Sequence, residues 1–113
     1  MQETQALLFS VAIEVPIAYL IVRLARWPCR GALHAGLASG VATAVTHPQL
    51  WAAVIWAYPQ FGYWPSVIVL EALVVLAEGV LIAWMAALAI RRAMLVSLIA
   101  NLASCVAGIL LFG

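Results

Sequence analysis

The chain has 113 residues, 68% of them hydrophobic and 8% charged, with a net charge of +1 and a mean hydropathy of +1.17. In so short a chain surface outweighs interior, and its few charged residues could not cover a water-facing exterior. That excludes a soluble domain, and it leaves no basic excess for a nucleic-acid partner.

Lipid is then the expected solvent and first partner, and backbone groups in lipid must satisfy one another as helices or a closed barrel. Barrel strands alternate polar and apolar residues. The stretch VIVLEALVVLAEGVLIAWMAALAI does not alternate, so the expected class is all-α. A hydrocarbon core of about 30 Å takes roughly 20 helical residues to cross. Taken in chain order, the segments at about 5–24, 32–55, 66–90 and 93–112 reach that length. They predict a polytopic protein of four transmembrane helices forming one domain over 1–113. The opening MQETQALLFSV has no basic stretch before its apolar run, and no small-residue cleavage site follows. The first segment therefore reads as a span and not as a removed leader.

All the basic residues are arginines in two places. Arg23, Arg26 and Arg30 flank the first connection, and Arg91 and Arg92 make up the third. The middle connection, AYPQFGYWPS, is uncharged. Arginine-rich connections face the cytoplasm, which puts both termini and the middle loop outside, in a multi-pass protein of a bacterial-type inner membrane. The middle region gathers Trp51, Trp56, Tyr58, Phe61, Tyr63 and Trp64 with Pro48, Pro59 and Pro65. Such rings favour the headgroup level; a platform for a ligand or partner is the other reading.

Placing Glu14 on Glu78 aligns the two halves with one two-residue gap. EVPIAYLIVRLARWPCRGAL then lies over EGVLIAWMAALAIRRAML, and Ser39 lies over Asn101. The halves become two tandem hairpins, about 5–57 and 66–113, a repeat of the parallel kind. Glu14, Glu71 and Glu78 all fall within spans. A charged carboxylate at mid-bilayer costs roughly 2.5 to 3.5 kcal/mol on insertion scales, so such groups face the bundle interior and often carry a proton. The expected site is an ion- or ligand-binding cluster of Glu14, Glu78, Asn101 and Ser39, with Glu71 and His47 nearer the outer surface. Interhelical packing by hydrogen bonds is the plainer reading of the same residues.

His47 sits in THP, where Thr46 could back-bond to carbonyls freed by Pro48. Cofactor identity is open at this stage: His47 as axial ligand to haem or a chlorophyll-type pigment, or His47 with Glu71 on a metal, are the alternatives to a plain interface residue. His34 reads as an interface residue at the cytoplasmic end. Small residues recur at fourfold spacing, Ala32, Gly36, Gly40 and Ala44 on the second helix and Ala100, Ser104 and Gly108 on the fourth. Such ridges let helices approach closely. Cys29 and Cys105 lie in a loop and in an apolar helix, which does not suggest a disulfide. No motif of an enzyme is present.

In its length, its four-helix plan and the glutamate of VAIEVPIAYLI, the chain resembles small multidrug resistance exporters. The resemblance implies for Glu14 the proton-exchanging role that their first-helix glutamate plays against cationic drugs. The one-sided arginines and the Glu71–Glu78 pair depart from that pattern. Two functions follow as expectations. One is a proton- or cation-coupled transporter or channel-like protein acting as a dimer. The other is an accessory or scaffold subunit of a larger membrane complex, with a cofactor on His47.

Overall fold

The computed structural model describes residues 2–112, and among them every regular element is helical. The helices are α1 (Glu3–Ala25), α2 (Ala32–Phe61), α3 (Tyr63–Ala86) and α4 (Ile90–Phe112). They form a bundle with extents of 43 × 24 × 18 Å, in which each helix packs on its two neighbours around a ring and α4 closes back on α1.

The burial pattern inverts that of a soluble protein. Large apolar side chains such as Leu24, Trp84 and Leu110 are more than three-quarters exposed. Buried instead are Glu14, Ser39, Thr43, His47, Ser66, Glu78, Ser97 and Asn101, together with alanines. Apolar side chains turned outward and polar ones turned inward are what lipid favours and water opposes. Three helices are long and apolar enough to cross a membrane: Glu3–Ala25, Tyr63–Ala86 and Ile90–Leu111, with mean hydropathies of 2.0, 2.4 and 2.3. α2 falls short of that measure because Ser39, Thr43, Thr46, His47, Gln49 and Gln60 dilute it.

The small-residue ridges pack inside the bundle except at Ala44, which is exposed. A Cβ on Gly36 would stand 3.0 Å from the Val15 carbonyl oxygen, and one on Gly40 would stand 2.7 Å from Val15 Cγ2, so α1 lies directly along this ridge. Ala100 is fully buried, the Ser104 hydroxyl donates to the Asn101 carbonyl, and Gly108 faces Phe9 of α1. Gly36→Leu is expected to force the two helices apart and lower stability by about 1–3 kcal/mol, the usual range for overpacking. Unfolding in mixed micelles measures it, and an unchanged midpoint would show that the ridge is not a contact.

The two arginine-bearing turns lie side by side at one end. The Arg30 backbone N–H donates to the Ala86 carbonyl at 2.8 Å, and the Arg92 guanidinium stands 5.5 Å from the centre of the Trp27 ring. Two boundaries at this end differ from expectation. Arg91 and Arg92 belong to the first turn of α4, because the reversal is made earlier, by Ala87 in the left-handed region (φ +54°). The third helix therefore ends at Ala86 and not near residue 90.

The expected middle connection, 57–66, is almost wholly helical, broken only at Gly62. Pro65 causes no break because it lies in the first turn of α3, where N–H groups have no partner within the helix. The Ser66 hydroxyl donates to the Gly62 carbonyl at 2.7 Å, and the Tyr58 and Tyr63 rings meet across the break with centres 6.2 Å apart. Gly62 has φ +86° and ψ 171°, a conformation that only glycine adopts readily. Gly62→Ala is expected to lower stability by about 1–3 kcal/mol, read as an earlier unfolding midpoint in the same micelles.

Candidate functional site

One chain of side-chain hydrogen bonds passes through all four helices. The Thr43 Oγ1 of α2 lies 3.2 Å from Glu14 Oε1 of α1 and 2.8 Å from Glu78 Oε1 of α3. The Asn101 amide of α4 donates to Glu78 Oε2 at 2.9 Å and to the Ser97 carbonyl at 2.8 Å. The Ser97 hydroxyl donates to the Val75 carbonyl at 2.8 Å, which fixes α4 against α3. Glu14 and Glu78 are each only 2% exposed, so these contacts stand in for most of the water the carboxyl groups would otherwise bind.

Counting hydrogens gives the network its chemistry. Thr43 Oγ1 is also 3.0 Å from the Ser39 carbonyl oxygen, so three acceptors surround a hydroxyl that has one hydrogen. If Thr43 donates to Ser39, both carboxyl groups must donate to it. If it donates to one carboxylate, the other carboxyl group must donate back. For both glutamates to be hydrogen-bonded to Thr43, at least one of them carries a proton. Because Glu78 Oε2 accepts from Asn101, a proton on Glu78 belongs on Oε1, facing Thr43.

The network forms the foot of a cavity of about 410 Å³ between the helices. The lining runs along α3 from Tyr63 through Glu71 to Glu78, a distance of about 22 Å at 1.5 Å per residue. His47, Trp51, Ser104 and Cys105 line it from the other helices. The space would hold roughly a dozen waters at about 30 Å³ each. Toward the arginine end the bundle is filled instead. Ala18, Ala35, Ala38, Ala42, Ala86 and Ala93 pack there with Val22, Ile82, Leu88 and Val96. The carboxyl pair thus lies where a hollow half of the bundle meets a solid half.

The expected cluster is assembled in large part. Glu14, Glu78 and Asn101 are joined as described, while Glu71 and His47 line the same cavity nearer its aromatic end. Ser39 departs from expectation: it is buried one turn below and contributes its backbone carbonyl to Thr43. Thr43, the residue that joins the pair, was not anticipated. Register could have found it, since Glu14 stands eleven residues before the end of α1 and Thr43 eleven after the start of α2, which makes them opposite in an antiparallel hairpin. Thr46 also differs, its hydroxyl donating to the Ala42 carbonyl at 3.0 Å and not to a carbonyl that Pro48 frees. That is the ordinary reach of a helical threonine hydroxyl back to residue i−4.

His47 is buried, its ring centre lies 5.9 Å from that of Trp51, and its Nε2 has no hydrogen-bond partner. Among the described residues no three His, Cys, Asp or Glu side chains gather as a metal-binding group, so His47 with Glu71 lacks a third ligand. Cys29 and Cys105 are free thiols. His34 is exposed beside Arg30 at the arginine end.

The chain matches no protein-family model, no curated protein and no solved structure. The likeness to small multidrug resistance exporters therefore rests on Glu14 and the helix plan alone, and the site is read from its own chemistry.

Proposed function

We propose that this protein is a small proton-coupled membrane carrier in which Glu14 and Glu78 bind and release the coupling proton. The observation that carries the reading is the single Thr43 hydroxyl between two buried carboxyl groups, an arrangement that is fully bonded only with a shared proton. The hollow half gives protons a wet approach from the aromatic end. The alanine-rich half closes the other side, and faces so lightly interdigitated suit the small helix shear by which access can alternate.

In this reading all four helices cross the membrane, α2 included. Its 30 residues make about 45 Å of helix, longer than the hydrocarbon core, so its aromatic end stands at the interface. The arginine end faces the cytoplasm and both termini face outside, as in a bacterial-type inner membrane. The hairpins at 5–57 and 66–113 derive from a duplication, with Glu14 and Glu78 as counterparts. Cys105 occupies the place that would answer to Thr43, so only one hydroxyl serves both acids. A single bundle is thin for a pathway, and two copies act together.

The test is proton movement in liposomes carrying the purified protein and an internal pH dye. An imposed proton gradient is expected to collapse faster than in empty vesicles, and Glu14→Gln is expected to remove most of the difference. A protein that leaves the gradient intact, or a Glu14→Gln variant as active as its parent, would overturn the reading.

The unpartnered Nε2 of His47 in the cavity favours a second reading, an accessory subunit that holds a cofactor. An absorption spectrum and intact mass of the protein purified from its native membrane separate the two. A bound haem or pigment lost in His47→Leu supports the accessory subunit, and a colourless protein of sequence mass supports the carrier.

A further inference from the structure

We infer that the cavity receives a membrane-dissolved, single-chain amphiphile with an uncharged hydroxyl head, entering sideways between α3 and α4. This deepens the carrier reading, on which the word substrate rests. On the lipid-facing side of those helices lies a groove of about 510 Å³ whose walls are Trp64, Ile68, Val75, Leu76, Leu98 and Leu102. Its floor is made of Val67, Glu71, Asn101 and Cys105, and those four residues also line the inner cavity. One layer of side chains thus separates the bilayer from the polar interior.

The floor also determines what can cross it. Glu71 is only partly buried and makes no hydrogen bond to any described residue, so its carboxyl group stands free at the border between groove and cavity. Inside, the buried Nε2 of His47 on α2 is likewise without a partner. A hydroxyl can donate and accept, and so can bond to either group. A phosphate or carboxylate head is disfavoured because every arginine lies outside the cavity lining. The wall between α2 and α3 also has an apolar groove outside it. There the shared polar residue is Thr46, whose hydroxyl is already bonded to the Ala42 carbonyl, and the Gln49 amide in that groove lies against the Val45 carbonyl, so neither calls for a head group.

The probe is a dodecanol bearing a photoactivatable diazirine near its chain end, added to liposomes containing the full chain, with adducts mapped by mass spectrometry. Adducts are expected to concentrate on Ile68, Val75, Leu98 and Leu102 and to be displaced by excess dodecanol but not by dodecanoate or dodecylamine. Glu71→Leu, which removes a carboxyl group that lipid disfavours and so should fold, is expected to lower this labelling about tenfold, the equivalent of roughly 1.4 kcal/mol. Three results would overturn the inference: adducts spread evenly over the lipid-facing surface (annular lipid only), adducts focused between α2 and α3, or equal displacement by the charged competitors. Focused labelling without proton movement by the parent would leave this site standing and remove the proton reading. Proton movement without focused labelling would do the reverse.

Discussion

Replacing Glu14 and Glu78 together by glutamine is expected to reduce proton movement to that of empty vesicles, a fall of at least about 100-fold, in the range for removing a positioned acid–base group. The same change is expected to leave the fold intact. Each carboxyl group in the membrane interior carries an insertion penalty of about 2.5–3.5 kcal/mol if charged, and glutamine has no charge to bury. Glutamine also keeps a hydrogen-bonding oxygen and gains donors for Thr43, so little of the roughly 1 kcal/mol per hydrogen bond is lost. Loss of proton movement with an unchanged or higher unfolding midpoint is therefore the expected pair of results. Unfolding of the double variant would instead mark the glutamates as packing groups, the plainer reading of the same contacts.

Thr43→Val tests the bridge itself. Valine matches threonine in shape, so the packing beside Ala42 is kept while the hydroxyl common to Glu14 Oε1 and Glu78 Oε1 is lost. Two buried carboxyl groups left without their bridge lower stability by about 1–3 kcal/mol, and proton movement is expected to fall about tenfold because the pair no longer shares a defined hydrogen position. Thr43→Ser restores the hydroxyl and should recover most of both. A valine variant equal to its parent in both measurements would show that Thr43 lies between the acids without joining them.

Much of this was legible from composition and depth. Three intramembrane glutamates and Asn101 had to face one another, because lipid offers them no partner, and Glu14, Glu78 and Asn101 do so. The gathering of arginines at one end was equally plain in the sequence. Thr43 was harder to see because threonine is tolerated on any helix face, and only the register of the hairpin singles it out. Aligning the halves pointed to Ser39, since alignment compares positions along the chain whereas hydrogen bonding depends on which side chains meet across an antiparallel pair.

The middle of the chain was misread for another reason. Proline and aromatic residues in AYPQFGYWPS suggest a loop, yet Pro65 falls in a helix's first turn and a single glycine makes the break. For α2, three of the polar residues that lower its hydropathy, Thr43, Thr46 and His47, are turned inward toward the cavity, while Gln49 and Gln60 are exposed. Averaging over a helix conceals that distinction.

The most direct measurement is the infrared spectrum of the protein in lipid at neutral pH, in the region where protonated carboxyl groups absorb apart from carboxylates. A protonated-carboxyl band that persists in Glu71→Gln and is lost in the Glu14→Gln, Glu78→Gln double variant is the result the account predicts. A spectrum in which every glutamate is ionised, or a band that survives the double variant unchanged, would contradict it.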